Sequence, residues 1–201
     1  MKVKPETLEW QDAYKLLTGA VLPRPIAFVS TLDDKGNANL APFSFFTAIC
    51  ANPMLICFAP MRRADGAKKD TLINIESTGQ FVINVVSEKI VGPMNNCSFE
   101  FGPDVDEFEA VGLTKIPSEF VKPPRVKESD VHLECELRQV LHFGDQAGAG
   151  SLVIGEVVFM HVADELYFDG KIDTEKLQAV GRLAGPMYTR AAADTFLLKR
   201  K

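Results

Sequence analysis

"PRPIAFVSTLDDKGNANLAPFS", residues 23–44, is the stretch whose reading decides the fold. Residues 26–31 are an apolar run, Asp33-Asp34-Lys35-Gly36 offers a turn, and the chain returns over residues 39–46. That pattern is a β-hairpin, so the first two strands are antiparallel. The return strand raises a chemical question. In "NLAPFSFFTAI", residues 39–49, Ser44 sits among phenylalanines and Thr47 follows. A buried hydroxyl without a partner costs roughly 1–3 kcal/mol, so the backbone or a ligand must satisfy both groups. In an extended chain Phe43, Phe45 and Thr47 share one face, and Pro42, Ser44 and Phe46 the other. If the strand ends near Phe45, its last backbone groups are open to a planar heterocycle whose edge Ser44 and Thr47 could bond. Plain core packing, with each hydroxyl bonded back to the chain, accounts for the same residues.

Working outward, residues 8–17 read as a short helix with Leu8, Trp10, Tyr14 and Leu17 available for packing. "PMLICFAP" (53–60) is a continuous apolar strand. The polar loop "MRRADGAKK" then leads to a helix over 71–78, with Gly79 in the position of a helix stop. "QFVINVVS" (80–87) is a further strand, and 88–96 is helical with an interruption at Gly92-Pro93. Residues 99–129 are rich in proline and charge and read as short helices and loops. Leu133, Cys135 and Leu137 alternate with Glu134, Glu136 and Arg138, the pattern of a half-solvated strand. "SLVIGEVVFMHV" (151–162) is its partner across the loop "GDQAGAG" (144–150). A last helix over 174–180 is followed by a loop. Six or seven strands with short helices between them predict one mainly β domain over residues 1–201, an antiparallel barrel that is closed or nearly so. A doubly wound parallel sheet is the alternative. The early hairpin, the late strand pair and the lack of GxGxxG after a strand argue against it.

The 201 residues carry 46% apolar and 24% charged side chains and a net charge of -5. That balance argues against a nucleic-acid or anionic membrane surface, and no apolar run approaches the ~20 residues of a membrane span. The N-terminal "MKVKPETLEW" has no apolar signal core, so a cytoplasmic protein is expected. Cys50, Cys57, Cys97 and Cys135 show no CxxC spacing and read as reduced core thiols. His132, His142 and His161 are too scattered to suggest a metal site. With no convincing Ser-His-Asp or Cys-His arrangement, no side chain is assigned as catalytic acid, base or nucleophile.

One segment does suggest a ligand. Lys68 and Lys69 precede the helix at 71–78, and Asp70 or Thr71 is placed to cap it. Free backbone N–H groups, the positive end of the dipole, two lysines and a hydroxyl make an anion site suited to a phosphate monoester. A capped surface helix with solvated lysines would use the same residues. Arg62 and Arg63 could add charge or simply face water.

Taken in order, "RPIAFVST…DGxxNxAPFSFF", "NPxLICF" and "KKDTLINIxxTGxFVIN", followed by "VGRLAGPMY" (180–188), the chain resembles the flavin reductase-like family of FMN-binding split barrels that includes flavoredoxin. The resemblance spans about four-fifths of the chain. It implies a Greek-key antiparallel split barrel that forms a homodimer with FMN near the interface. On this sequence it implies that Ser44, Phe45, Phe46 and Thr47 line the isoalloxazine and ribityl part, with Ala59 and Met61 beside it. Lys69, Asp70 and Thr71 would hold the phosphate, and Arg182 and Tyr188 would come from the terminal segment. Two departures stand out: Ala184 replaces the family's usual glycine, and no histidine follows Gly144-Asp145. The implied chemistry is hydride transfer from NADH or NADPH to flavin, with flavin or another small molecule reduced. A flavoredoxin-like carrier fed by a redox protein partner, and a flavin-binding barrel without turnover, are the alternatives.

Overall fold

The computed structural model describes residues 2–99, 101–102 and 105–199. After a 3-10 turn, Pro5–Thr7, helix α1 spans Trp10–Ala20. Strands β1 (Ala27–Leu32), β2 (Ala38–Phe43), β3 (Phe46–Ala51) and β4 (Met54–Phe58) lead to α2 (Asp70–Thr78) and β5 (Gln80–Val85). Helices α3 (Val91–Asn96) and α4 (Glu107–Ala110) and the two-residue strands β6 (Lys115–Ile116) and β7 (Arg125–Val126) fill the middle. The long strands β8 (Val131–His142) and β9 (Ser151–Val162) follow. The chain then passes a second 3-10 turn, Asp164–Leu166, and the short strands β10 (Tyr167–Phe168) and β11 (Lys171–Ile172). Helix α5 (Thr174–Leu177) and the strands β12 (Val180–Arg182) and β13 (Tyr188–Arg190) complete it. Among the described residues no helix is long and apolar enough to cross a membrane.

Seven strands form one sheet in the order β2-β1-β5-β8-β9-β4-β3, every pairing antiparallel. Its two edges, β2 and β3, are consecutive in the chain, joined only by Ser44 and Phe45. Two residues span at most about 7 Å, so the sheet must curl until its edges meet. The result is the expected Greek-key split barrel, and the split lies at Ser44-Phe45. There the backbone N–H of Ala59 donates to the Phe45 carbonyl at 2.8 Å.

Alternation along β1 buries both of its faces. Ala27 and Val29 point into the barrel with Ile56, Phe58, Phe81, Ile83, Leu133 and Val153, plugged by Leu72 and Ile75 of α2. Ile26 and Phe28 point outward under Met94, Phe108 and Val180. Burial of these large side chains is the main favourable term in stability, on the order of 1.5–3 kcal/mol each. Inside the barrel Phe81 demands a glycine opposite it: a Cβ on Gly155 would lie 2.4 Å from its ring.

Several boundaries differ from the sequence reading. Helix α1 begins two residues later and runs three further than 8–17, and Trp10, Tyr14 and Leu17 are 38%, 40% and 52% exposed. The return strand of the hairpin breaks after Phe43, because residues 44 and 45 must cross from one sheet edge to the other. Pro93 does not interrupt a helix: it falls in the first turn of α3, where no backbone donor is required. Helix α2 starts one residue early, so Lys69 is its N-cap, no side chain caps it, and Asp70 is its first residue. Gly79 ends α2 with φ +70°, as expected of a helix stop. The last helix is only Thr174–Leu177, stopped by Gln178 in the left-handed region, and the expected loop is the β12–β13 hairpin. Of the 99–129 segment, residues 100, 103 and 104 lie outside the described residues. All four cysteines are free, but Cys50 is exposed rather than in the core.

Candidate functional site

Where the sheet edges meet, α1 and the 59–69 loop form the walls of a cavity of about 600 Å³. Trp10 and Tyr14 form one side, Pro42 to Phe45 the floor, and Ala59, Met61, Arg62, Arg63 and Lys69 the other side. Helix α1 is held against the barrel by a close approach: Gly148, at φ +77°, leaves room that a Cβ would fill 2.7 Å from the Trp10 ring. Tyr14 meets Phe45 with ring centroids 6.1 Å apart. The walls are thus largely aromatic at one end and cationic at the other, dimensions and chemistry that suit a planar ring carrying an anionic tail.

The cationic end opens into a smaller cavity of about 110 Å³ that shares Pro42, Phe43, Arg63 and Lys69 with the first. Asp70, Thr71 and Glu107 also line it. Thr71 is 1% exposed, and its Oγ1 is buried with no hydrogen-bond partner. The Nε of Arg63 is buried without one as well, while its Nη2 bonds Asp70 Oδ2 at 2.6 Å. Two orphaned donors beside the N-terminus of α2, the positive end of the helix dipole, are what a phosphate would complete. Glu107 lies on the same cavity and accepts from Leu40 N at 3.3 Å. Burial first, then the charges of Asp106 and Asp70, push its pKa up, which limits negative charge at that wall.

A third cavity, of about 170 Å³, shares Tyr14, Pro42 and Ser44 with the large one. Arg182 and Tyr188 line it, along with Met94 and Ser98.

The predicted residues therefore fall into distinct places. Ser44, Phe45, Ala59, Met61 and Lys69 line the large cavity, Asp70 and Thr71 the phosphate-sized one, and Arg182 and Tyr188 the third. Phe46 and Thr47 line none of the three: they open β3, where Thr47 is exposed and donates to the Ala48 carbonyl at 3.3 Å. Lys68 pairs with Glu76 at 2.5 Å on the surface of α2. Ser44 has an answer that sequence alone did not give, since its Oγ accepts from Arg24 Nε at 3.4 Å. Cys57 is half-buried and burial raises its thiol pKa, so it is a poor redox nucleophile.

The reading of residues missed Trp10 and Tyr14 as cavity walls and gave Arg63 no firm place. The chain's single tryptophan, four residues before Tyr14 and so on the same helix face, was the available signal for the first. For Arg63 there was none beyond the doubled arginine.

Comparison with known proteins agrees with this arrangement. Residues 19–176 match the model of the family described as flavin reductase like domain. An uncharacterized protein of Halalkalibacterium halodurans is 45% identical over 202 residues, covering 100% of this chain and 96% of that protein. The crystal structure of nitrilotriacetate monooxygenase component B from Bacillus cereus superposes with TM-score 0.92 at 38% identity, covering 98% of both chains. That of Pseudomonas fluorescens 2-nitrobenzoate 2-nitroreductase gives 0.89 at 34%, covering 100% of this chain and 96% of the other. With the matched region running from α1 to α5, the chain belongs to the flavin reductase like domain family.

Proposed function

We propose that this protein is a flavin-dependent oxidoreductase that holds FMN across the two connected cavities, takes hydride from NADH or NADPH, and passes electrons to flavin or another small acceptor. The observation that carries this reading is the pair of buried, partnerless donors, Thr71 Oγ1 and Arg63 Nε, next to a ring-sized cavity. FMN, when bound, supplies the hydride-accepting ring. The chain's own residues supply position and charge. Phe43, Phe45, Met61 and Trp10 offer apolar surface to a planar ring and displace water from it. Ser44, already accepting from Arg24, retains its own O–H to donate to a ligand. Arg62, tied to Gly66 O at 2.8 Å and Gly144 O at 3.2 Å, holds a fixed positive charge at the cavity wall, where negative charge on a reduced ring would be stabilised.

The same reading includes a homodimer. Its support is β3, an edge strand whose residues Thr47–Ala51 are all exposed, with Ile49 and Met54 each 46% exposed beside them. Such an edge is normally covered or blunted. Sedimentation of the purified protein tests this point, and a monomer at micromolar concentration would remove it.

The functional test is retention of FMN. Protein mixed with excess FMN and desalted should carry close to one flavin per chain, and NADH or NADPH should bleach it without added protein. Bleaching only by a chemical reductant or a redox protein would replace the enzyme reading with that of an electron carrier. No binding of FMN in a fluorescence titration would overturn both.

A further inference from the structure

Two arginines meet at the third cavity. Arg24 and Arg182 are joined by reciprocal backbone hydrogen bonds of 3.0 and 2.8 Å. Among the described residues no carboxylate pairs with either guanidinium. Arg24 is 4% exposed and gives Nη1 to the carbonyls of Thr18 and Val21, at 2.7 and 2.8 Å, and Nη2 to that of Leu183 at 2.9 Å. Arg182 lies over the Tyr188 ring, 4.5 Å from its centroid, and donates to the Tyr188 hydroxyl and to Gly185 O. Carbonyl dipoles and a ring face spread these charges without neutralising them. The cost is visible in Arg24, whose pKa is lowered first by burial and also by Arg182, against an opposing pull from Tyr14.

Beside this uncompensated pair lies the 170 Å³ cavity. Arg182 lines it directly, and Arg24 reaches it through Ser44. Of Arg182's five N–H donors, two are used. Ser44 and Tyr14 add hydroxyls, while Ile26, Pro42 and Met94 make the remaining wall apolar. An apolar wall suits a hydrocarbon body better than a fully hydrated inorganic oxyanion, and the volume is too small for a nucleotide.

We propose that this cavity holds the carboxylate of a small organic acid, with Arg182 as its charged partner and Ser44 and Tyr14 as hydroxyl donors. The acid's body then points across Ser44 toward the large cavity. The anion site stands on its own residues; only its position beside a reducible ring rests on the flavin reading.

The probe is benzoate, compared with neutral benzamide, titrated into full-length FMN-free protein by calorimetry and by ¹³C-methyl methionine NMR. Benzoate should bind at least tenfold more tightly than benzamide and shift the Met94 methyl more than that of Met61. Arg182→Gln should weaken benzoate at least tenfold, and Arg182→Lys should restore part of the loss. Should Arg182→Gln fail to fold, the Met94 shift in the wild type decides alone. FMN-loaded protein should bind benzoate within threefold of the FMN-free protein. Equal binding of benzoate and benzamide, equal displacement by inorganic phosphate, or competition between FMN and benzoate would each overturn the proposal. Failure of the wild type to bind FMN overturns the flavin reading while the benzoate titration still decides this one.

Discussion

Replacing Thr71 with valine removes one hydroxyl from a side chain that is 1% exposed and leaves its volume almost unchanged. Because that Oγ1 has no protein partner, the free protein carries the desolvation cost with nothing in return. Thr71→Val should therefore stabilise the FMN-free protein by about 1 kcal/mol, or raise its midpoint by roughly 2–4 °C. In the complex the same change deletes a hydrogen bond to a charged phosphate, about 1.5–3 kcal/mol, which corresponds to a roughly 10- to 150-fold weaker FMN. Riboflavin lacks the phosphate and should bind within about twofold of wild type. The signs are opposite: a more stable protein that binds FMN less well. Thermal denaturation of the FMN-free form and fluorescence titrations with both flavins measure them. Equal losses for FMN and riboflavin, or a destabilised FMN-free protein, would refute the reasoning by showing that the hydroxyl is needed by the protein itself.

Lys69→Ala should also weaken FMN more than riboflavin, as Lys69 lines both the large and the phosphate-sized cavity; a ratio of flavin affinities unchanged from wild type would remove Lys69 from the phosphate. Gly148→Ala puts a Cβ at φ +77° and 2.7 Å from Trp10, so it should cost about 1–3 kcal/mol and change the emission of the chain's single tryptophan; unchanged emission and stability would mean that α1 is not seated on Gly148. Burial, the largest influence, helps hold His132 down to about 4 from an ordinary 6.5, so folding favours its neutral form. Its contribution is fully present above pH 6.5 and is lost as pH falls toward 4, on the order of 3 kcal/mol in all. His132→Gln should flatten that acid limb in denaturant melts; a limb as steep as wild type would assign the loss to other groups.

Local chemistry carried much of the fold into the sequence. The Asp33–Gly36 turn and the glycine that stops α2 acted within a few residues of where they were read. The alternation in β8, by contrast, holds only from Glu136 on: Glu134 is fully buried, its carboxylate accepting from the backbone N–H groups of Glu119, Phe120 and Val121. The break at Ser44-Phe45 was not legible, because no residue there disfavours extension: it is imposed by closure of a sheet that β8 (Val131–His142) and β9 (Ser151–Val162), far along the chain, complete. The cap of α2 was misplaced for a related reason. Asp70 has the side chain of a cap, but Arg63 seven residues upstream draws its carboxylate away. For the site, the order of motifs pointed to the segments and the structure sorted them. Arg182 and Tyr188 line neither of the first two cavities; their own shares Tyr14, Pro42 and Ser44 with the large one and Pro42 and Ser98 with the phosphate-sized one.

The two-residue link between the outermost strands gives the barrel an unusual relation to its own termini. New chain ends opened at the Gly36 turn would leave both edges tethered at the cavity floor, and such a circular permutant should keep its ligand. Ends opened between Ser44 and Phe45 would sever the two-residue link across the seam and leave it to side-chain packing, because the Ala59–Phe45 hydrogen bond only continues the β3–β4 ladder on one side of the cut. The same cut, chemically trivial at one turn, would at the other turn a barrel back into a sheet.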